Sequence, residues 1–488
     1  MGQISEPVDD EMAGGKYASM DFSAFETKGQ FFISYGDNQS VPFLIGEKIY
    51  DNLYKSVLNY FTLSRCGETV KDDVWGHEPC HTGLAKIYGV RGKKLEVDGG
   101  WHDAGDYGRY IVAASKTVMY LLLAYEVISK KSSDGKQNET EKLFDILDEV
   151  RFELEWMLKM QREDGAVYHK VSCYHFCRFI LPEEEKDPLV IAPVSTAATA
   201  DFAGCLSYAS SFYEKSDKAF SDKLMEAALK AQNYLDTHEN EIYENPPEIT
   251  TGGYGDRNPC DERYFALCSL YSKTGKKEYL EKALEIRRTP HELIMGKFPS
   301  WMEGFGWGMV AGYGTEILLK SDIPQDVRDE LKSAVVSEAD RMVQTSNECT
   351  FGVSSKHIAW GSNGAVMDNS HLLYLAYDLT GDEKYKTAAD LQFHYVLGVN
   401  PNDYCYVSGS GTNSLTRPHH RPSGALGKVM PGMLAGGPSA WLADEVAKKC
   451  LEGKAPLKCY IDDTGSYCTN EVAIYWNSPF VLGLARLM

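Results

Sequence analysis

Residues 143–160 read LFDILDEVRFELEWMLKM. Apolar side chains recur there every three or four residues, as they do along the face of an α-helix that packs on a core. The same spacing returns in further segments, so the chain is predicted to be helical almost throughout after Ile45. The predicted helices cover residues 47–65, 106–130, 141–162, 193–213, 217–237, 260–274, 276–287, 305–319, 323–346, 366–380, 382–397 and 471–486.

Two connections between these helices resemble each other, TGKKEY at 274–279 and TGDEKY at 380–385. Each stands between two predicted helices, which indicates helical hairpins in series. Such hairpins build either an open α-solenoid or a closed ring. Long loops rich in glycine and aromatic residues favour a closed ring with a cleft on one face. The region 400–470 shows little periodicity and is too long for a simple connector, which is typical of a functional loop.

The first 45 residues have a different pattern. The stretch 25–45, FETKGQFFISYGDNQSVPFLI, alternates apolar and polar residues and breaks at GDNQS, which predicts a β-hairpin. We therefore expect an N-terminal segment at 1–45 and a helical domain at 46–488. The beginning of the chain is acidic and lacks the basic start and apolar run of a signal peptide, although export stays open because a signal can be removed.

The overall composition excludes several classes of protein. The 488 residues carry a formal net charge of -20, which disfavours nucleic acid as a partner. No apolar run approaches the ~18 residues of a membrane helix, so no membrane is expected. The 12 cysteines are irregularly spaced and predict buried thiols rather than a disulfide scaffold. The 30 Tyr, 19 Phe and 8 Trp suit a large core or a cleft for a neutral sugar.

Two stretches carry candidate catalytic acids. GGWHDAGDYGRY at 99–110 places Asp103 and Asp106 three residues apart between glycines and rings. Near the end of the chain, Glu471 lies at the start of a predicted helix, with Asn470 as its N-cap. The ordinary alternatives are a well-packed turn and a helix-capping acid. Surrounding rings would raise the pKa of Glu471, which is what a general acid needs near neutral pH.

Glycoside hydrolysis pairs such an acid with an ionised carboxylate. When the two groups stand roughly 6.5–9.5 Å apart, a water fits between them and the anomeric carbon inverts. A third stretch, SGSGTNSLTRPHHRPSGA at 408–425, offers His419, His420 and Arg421. A phosphate site is the competing interpretation, but no GxxxxGK(S/T) sequence is present. These side chains also donate hydrogen bonds to the hydroxyls of a neutral sugar.

Together the three stretches resemble glycoside hydrolase family 9, the family of many endoglucanases. The resemblance covers about residues 40–488 and implies an all-α (α/α)6 barrel of six helical hairpins, preceded by a short β segment. It also implies hydrolysis of a β-1,4-glucan such as cellulose, with inversion. SLTRPHHR resembles the histidine signature of the family, and YIDDTGSYCTNEVAIYWNS at 460–478 resembles its carboxylate signature. Cys405 departs from the family pattern, as a packing change.

The resemblance implies a role for each matching residue. Glu471 would be the general acid, supported by Asp462, and Asp106 the general base. Asp103 would help to hold the attacking water. Further stretches resemble the same family: EWMLKMQREDGAVYHKV, VSTAATADFAG, WGSN and PGMLAGGPS. The residues implied in sugar binding are His419, His420, Arg421, His169, Trp360, Trp476 and Tyr254.

Two metal sites are also predicted, and no organic cofactor. Two thiols and two imidazoles match a closed structural zinc site, although their spacing alone fits buried thiols and surface histidines as well. Members of the family with an immunoglobulin-like N-terminal module resemble this chain here and bind zinc, which favours the metal. The predicted zinc ligands are Cys66, Cys80, His81 and His102, with His77 in reserve.

The second predicted metal is calcium. Asp256, Asp261 and Glu262 offer the hard oxygen ligands that calcium prefers. The alternative is a helix N-terminus lined with acids. Many members of the family supply another acid just after a tryptophan, whereas Gly308 follows Trp307 here. The CYHFC stretch at 173–177 is interpreted as packing.

The N-terminal segment resembles the last strands of that immunoglobulin-like module, so we expect 1–45 to be its remnant, packed on the barrel. Three other functions remain open at this point. An exo-acting enzyme on cello-oligosaccharides or glucosaminides is the rival on the same fold, and the lengths of the loops at the ends of the cleft would decide between them. A silent sugar-binding protein is disfavoured by its three carboxylates, and a helical scaffold does not explain the loops. The expected partner is a β-glucan chain, and the oligomeric state is open.

Overall fold

The computed structural model describes residues 4–133, 140–289 and 301–488. Helices dominate the described residues, and the long ones follow the predicted segments closely. In chain order the helices are α1 Asp51–Leu63, α2 Ile111–Ser133, α3 Thr140–Lys159, α4 Thr196–Tyr213, α5 Lys218–Thr237, α6 Cys260–Thr274, α7 Lys277–Arg288, α8 Ala311–Lys320, α9 Gln325–Glu348, α10 Ser362–Thr380, α11 Glu383–Val396, α12 Arg421–Leu426, α13 Glu445–Leu451, α14 Tyr467–Asn470 and α15 Ile474–Leu487.

Six of these helices form a closed inner ring. Its members are α2, α4, α6, α8, α10 and α15. The helices α2, α4, α6 and α8 pack on one another in that order, α10 packs on α15, and α15 returns to pack on α2. Between α8 and α10 the ring is joined by a hydrogen bond of 2.8 Å between Glu316 and His371. The outer helices α1, α3, α5, α7, α9 and α11 cover this ring. The open solenoid is therefore excluded, and the prediction of an all-α (α/α)6 barrel is confirmed.

The expectation that no apolar run approaches the length of a membrane helix was wrong for the central helix α2. Its segment Ile111–Lys131 is long and apolar enough to cross a membrane by composition. In the structure 83% of its most apolar window is buried inside the barrel. Its hydrophobicity is thus accounted for by contacts with the neighbouring inner helices, because a helix that is apolar on all sides must be covered on all sides.

The two TG connections end their helices in the same way. Gly275 and Gly381 adopt the left-handed conformation, with φ of 67° and 73°. Their N–H groups donate to the carbonyls of Tyr271 and Tyr377 at 2.8 and 2.7 Å, which closes the last turn of α6 and α10. Glycine takes this conformation without the steric cost of a Cβ atom, so the predicted helical hairpins are confirmed at both places.

The N-terminal segment forms short hairpins. The predicted turn at GDNQS is confirmed, since β4 pairs with β5 and β3 with β6 around it. An earlier hairpin, β1 with β2, was not predicted. The strands are β1 Val8–Asp10, β2 Gly15–Tyr17, β3 Gly29–Phe31, β4 Ser34–Tyr35, β5 Asn38–Gln39 and β6 Phe43–Ile45.

The earlier hairpin attaches the segment to the barrel. Asp10 accepts a hydrogen bond from the backbone of Thr350 at 2.7 Å. The carbonyl of Met12 accepts another from Leu457 at 2.9 Å, and Ala13 is fully buried. The expected packing on the barrel is thus made by residues 8–17. The origin of 1–45 as a remnant of an immunoglobulin-like module stays a prediction.

A five-stranded sheet lies beside the ring and was not predicted. Its order is β8-β7-β11-β10-β9. The strands are β7 Leu84–Ile87, β8 Lys94–Glu96, β9 Arg109–Tyr110, β10 Lys170–Cys173 and β11 Leu189–Ile191. Short runs such as PLVIAP carried a strand signal, but each is only a few residues long and stands among helical segments.

Several predicted helix starts were wrong, for example 305–319, which becomes helical only at Ala311, and two of the errors concern candidate acids. The segment 106–130 becomes helical only at Ile111, because residues 109 and 110 pair with β10. The segment 471–486 becomes helical only at Ile474, and Asn470 ends the short α14 rather than capping the last helix. Asp106 and Glu471 therefore lie on non-helical segments, where backbone pairing fixes their positions.

The inner ring predicts a clear difference between two glycine substitutions. A Cβ at Gly364 in α10 would lie 2.2 Å from Cδ1 of Trp476, whereas a Cβ at Gly275 would meet nothing within 4 Å. We expect Gly364→Ala to lower the free energy of unfolding by about 1–3 kcal/mol through overpacking. Gly275→Ala should cost about 1 kcal/mol or less, from its left-handed backbone alone. Thermal unfolding of both variants measures this, and equal melting temperatures would contradict it.

Candidate active site and metal-binding groups

The two aspartates lie on a tight turn that directly precedes β9 of the five-stranded sheet. Asp103 N–H donates to the carbonyl of Gly108 at 3.0 Å, which closes the turn. One oxygen of Asp106 accepts from Gly108 N–H at 3.0 Å and from the Tyr110 hydroxyl at 3.1 Å. Both carboxyl groups are buried. The turn therefore holds two acids side by side, with Asp106 fixed through one oxygen.

Aromatic rings surround Asp103. The Tyr254 hydroxyl donates to one of its oxygens at 2.5 Å, and the other oxygen has no partner. Tyr254 packs edge-on against Tyr110, Trp307 and Tyr475, with ring centroids 4.8, 5.1 and 5.7 Å away. Burial raises the pKa of Asp103 well above its usual range, and the neighbouring Asp106 raises it further.

Tyr254 reaches Asp103 from an unfavourable backbone conformation. Its φ is 51°, in the left-handed region that non-glycine residues rarely adopt. Such a conformation persists only when the surrounding structure imposes it. Tyr254, one of the predicted sugar-binding residues, is thus placed in contact with a candidate catalytic acid.

Glu471 lies on an extended segment that joins the other two stretches. It is bridged to His419, whose N–H donates to the carbonyl of Asn470 at 2.9 Å. Its own carbonyl accepts from Gly436 at 2.7 Å. Burial raises the pKa of Glu471 well above its usual range, and the charges of Asp106 and Asp103 raise it further. The structure thus brings the three predicted acids into one electrostatically coupled group.

The predicted basic residues occupy different positions in this site. The ring of His419 is partly exposed and lies between Phe179 and Tyr467, with centroids 5.3 and 6.0 Å away. Its Nδ1 lies 2.7 Å from the carbonyl of Thr464, which assigns the proton to Nδ1 and leaves Nε2 to accept a hydrogen bond. Burial lowers the pKa of His419, which favours this neutral form.

Arg421 and His420 are turned inward. The Arg421 guanidinium donates to the carbonyls of Gly105 and Cys177 at 2.5 and 3.1 Å. His420 is buried, with Nδ1 2.9 Å from the Ser423 hydroxyl. Sugar binding by these two residues stays a prediction. The contacts show that Arg421 fastens the turn that carries Asp106.

Asp462 fastens the loop before Glu471. Its oxygens accept hydrogen bonds from the Tyr404 hydroxyl at 2.7 Å, from Thr416 and Arg417 N–H at 2.8 Å and from the Asn470 amide at 2.8 Å. Burial raises its pKa, but these hydrogen bonds outweigh burial and hold the pKa below the usual range. Asp462 therefore touches the residue next to Glu471, so it can support the acid through the backbone.

Three further predicted sugar-binding residues differ in exposure. Trp360 is 42% exposed and packs on Tyr467 at 5.1 Å. Trp476 is nearly buried beside Gly364. His169 is fully buried, stacked on Tyr243 at 3.8 Å, and both of its nitrogens have protein partners. For His169 the contacts favour support of the neighbouring loop, and its place in a sugar site stays a prediction.

Lys170 and Tyr475 are parts of the site that sequence reasoning missed. The fully buried Lys170 amine donates to the Thr251 hydroxyl at 3.0 Å and to the carbonyl of Gly252. Burial lowers its pKa to about 7, while Asp106 acts in the opposite direction. Lys170 therefore holds the loop that delivers Tyr254. Its position beside His169, and that of Tyr475 beside Trp476, were the available signals.

The four predicted zinc ligands come together in the structure. The Sγ atoms of Cys66 and Cys80 lie 3.8 Å apart, and His81 Nδ1 lies 3.7 Å from Cys66 Sγ. His102 Nε2 lies 3.5 Å from Cys80 Sγ. The outer nitrogen of His81 is 2.8 Å from a Glu185 oxygen. These buried groups can hold a metal ion.

The three predicted calcium ligands also lie together, and a fourth acid joins them. Asp256, Asp261 and Glu262 are buried and able to hold a metal ion. Glu262 and the buried Asp201 of α4 each have two oxygens without a hydrogen-bond partner, and Asp261 has one. Burial raises the pKa of Asp201, and the charges of Asp261 and Asp256 raise it further. Asp201 was not predicted, because only its neighbours in the fold reveal its surroundings.

Known proteins are similar to this chain in sequence and in architecture. The family model for glycosyl hydrolase family 9 matches residues 50–484. A cellodextrinase of Butyrivibrio fibrisolvens is 34% identical over all of this chain and 92% of its own length. The chain belongs to glycoside hydrolase family 9 and is a glycoside hydrolase, as the sequence predicted.

Solved structures of the family superpose closely on the chain. The structure of AaCel9A in complex with cellobiose-like isofagomine matches with a TM-score of 0.90 and 33% identity, over 99% of this chain and 92% of that one. A Zn-binding triple mutant of the family 9 endoglucanase J30 matches with a TM-score of 0.90 and 28% identity, over 99% and 93%.

The loop held by Lys170 gives a prediction about turnover. Lys170→Met removes the donors to residues 251 and 252, so Tyr254 should lose its fixed position on Asp103. We expect kcat to fall about tenfold or more, since small displacements of catalytic groups cost that much. Kinetics on a soluble glucan measure this. The control is Ser172→Ala, which removes a 2.8 Å contact to the same Thr251 hydroxyl and leaves the amine. Equal losses in the two variants would contradict a specific role for Lys170.

Proposed function

We propose that this hydrolase cleaves β-1,4-glucans internally and inverts the anomeric centre. Glu471 protonates the leaving oxygen, while Asp106 accepts a proton from the attacking water. Asp103 orients that water through its unpartnered oxygen. His419 accepts a hydrogen bond from a sugar hydroxyl through Nε2.

The observation that carries this proposal is the electrostatic coupling of Glu471 to the aspartate pair. Burial and two neighbouring carboxylates raise its pKa, so Glu471 keeps its proton where an ordinary carboxyl group loses it. Glycoside hydrolysis requires a protonated acid and a second carboxyl group, and Glu471 and Asp106 are proposed for these two roles. The charge of Asp106 also raises the pKa of Asp103.

Removal of either principal carboxylate tests these roles. Glu471→Gln and Asp106→Asn should each lower kcat by about 10²–10⁴, because each removes a proton-transfer group. Hydrolysis of cellohexaose, with the first-formed anomer read by NMR, measures both turnover and stereochemistry. The matched control is Glu445→Gln, since that side chain is 91% exposed on α13. Turnover within a factor of about two of wild type in either site variant would refute the assignment.

The raised pKa of Glu471 also fixes the sign of a pH effect. The general acid acts only while protonated, so kcat/KM should fall as pH rises through that raised pKa. The alkaline limb should therefore lie above the usual range of a carboxyl group, roughly pH 4–5. A pH series from 4 to 10 with wild-type enzyme locates it. A limb inside the ordinary carboxyl range would contradict the electrostatic coupling.

We further propose a structural zinc at Cys66, Cys80, His81 and His102. In a tetrahedral zinc site with Zn–S near 2.3 Å and Zn–N near 2.0–2.1 Å, ligand atoms lie about 3.5–3.8 Å apart. The three separations described above fall in this range. The Glu185 carboxylate on the outer nitrogen of His81 is the usual second partner of a zinc-bound imidazole. Four protein ligands leave no position for substrate, so this zinc would tie α1 to the catalytic turn.

Calcium is proposed at Asp256, Asp261 and Glu262, with Asp201 beside them. Oxygen atoms of buried acids without hydrogen-bond partners are costly unless a cation or protons neutralise them. The missing family acid at 308 leaves this site with a different donor set. A Cβ at Gly308 would lie 3.5 Å from an Asp256 oxygen, and Asp201 has two buried oxygens without hydrogen-bond partners.

Metal content and stability test both sites together. Elemental analysis of the purified protein should give one zinc and one calcium per chain. Removal of zinc by a chelator should lower the melting temperature by more than removal of calcium, because zinc ligation contributes several kcal/mol to folding. Cys80→Ala should abolish the zinc alone, and Asp261→Asn the calcium alone. Protein free of either metal with unchanged stability would contradict that site.

A second candidate is an exo-acting cellodextrinase on the same fold. It is favoured by the 34% identity to a protein of that name over the whole chain. The same cellohexaose experiment separates the two. A spread of internal products favours an endoglucanase, whereas glucose or cellobiose released from one end favours the second candidate.

A further inference from the structure

Aromatic side chains form a row that leads away from the candidate active site. The row begins at His419, passes to Tyr467 at 6.0 Å and continues to Trp360 at 5.1 Å. Trp360 is one of the predicted sugar-binding residues and is 42% exposed. In the described part of the chain, the other strongly exposed tryptophan is Trp441, at 54%.

Trp441 lies beside the segment that carries Trp360. Its ring packs edge-on against His357, with centroids 5.6 Å apart. The backbone next to it, Ala440 N–H, donates to the carbonyl of Ile358 at 3.0 Å. His357 and Trp360 are three residues apart, a stretch of chain that spans at most about 11 Å. Trp441 and His357 therefore lie close to the Trp360 end of the aromatic row.

The loop that carries Trp441 is built to hold the indole outward. Leu442 adopts the left-handed conformation, with φ of 45°, which is unfavourable for a branched side chain. Its side chain packs against a small separate core of Ala447, Leu451 and Cys468. The Tyr467 hydroxyl donates to the carbonyl of Ala443 at 3.0 Å. Strain of this kind persists where the surrounding structure imposes it, often beside a ligand.

We propose that Trp441, with His357 behind it, forms an outer subsite that takes a glucosyl unit of a long β-glucan chain. The inference rests on the proposed function, because the same chain must also reach Glu471. The C–H face of a glucosyl ring packs on an exposed indole, which needs no charge from either partner. A neutral glucan also suits a protein with a net charge of -20.

If this inference holds, the loss of kcat/KM in Trp441→Ala depends on the length of the glucan substrate. Trp441→Ala should leave kcat/KM for cellotriose within a factor of about two of wild type. For cellohexaose or soluble cellulose derivatives it should fall about tenfold, as the loss of one buried aromatic face predicts. Phe32→Ala is the matched control, because Phe32 is an aromatic residue 55% exposed on the N-terminal segment. Phe32→Ala should leave kcat/KM unchanged for both the short and the long substrates.

Binding separates this inference from the proposed hydrolysis. In native gels that contain hydroxyethylcellulose, wild type and Phe32→Ala should be retarded, and Trp441→Ala should be retarded less. Retardation of wild type without hydrolysis would refute the proposed function and leave the subsite standing. Equal kcat/KM for wild type and Trp441→Ala at every chain length, or an equal loss at every length, would overturn the subsite. So would a change of oligomeric state in Trp441→Ala with unchanged binding, since Trp441 would then face a second copy.

Discussion

The rest of the site depends on the hydrogen bonds that Arg421 donates to the carbonyl of Gly105. Gly105 lies between Asp103 and Asp106, and it accepts hydrogen bonds from both the backbone and the guanidinium of Arg421. A Cβ at this position would lie 2.2 Å from the carbonyl oxygen of His419, so only glycine allows the approach. One carbonyl thereby sets the distance between the histidine loop and the aspartate turn. Because His419 is also bridged to Glu471, the same contact positions the acid.

Several ionisable side chains lie around this contact, and each costs free energy to bury. Burial and neighbouring carboxylates raise the pKa of Glu471 and of Asp103, and the amine of Lys170 is buried close to Asp106. Such groups destabilise a fold unless packing and hydrogen bonds offset them. The offset comes from the closed ring of apolar helices, in which α2 is almost wholly enclosed. The ring of helices stabilises the fold. Unfavourable backbone conformations lie in the loops, and the left-handed conformation of Tyr254 is an example.

Much of the architecture could be predicted from the sequence, because a helix is specified by residues that are close together in the chain. The spacing of apolar residues located the long helices, and Gly275 and Gly381 marked the ends of two of them. The short strands around Lys170 and Leu189 were missed, since a strand of three or four residues is defined by its partners. Asp106 and Glu471 were found as chemical groups, but their backbone was assigned to helices. Pairing with distant strands overrides the helical pattern there.

The candidate metal ligands could likewise be predicted only in part. Cys66, Cys80, His81 and His102 were recognisable from residue type, whereas Asp201 lies inside a helix whose sequence looks like ordinary core. Only the fold shows that its oxygens face other buried acids without partners. Long-range electrostatics of this kind cannot be read from a linear pattern, because it depends on which helices become neighbours.

The closure of the ring by its final helix has a consequence for biosynthesis. Residues 474–487 are translated after the other five helices of the inner ring, yet they pack on α2 and complete that ring. Glu471 precedes them by three residues. A nascent chain therefore exposes the apolar faces of α2 and α10 until the last stretch emerges from the ribosome, and it gains its acid only then. Closure of the barrel and assembly of the three carboxylates are in this way one late event, so a chain cut short before it has neither a complete core nor a general acid.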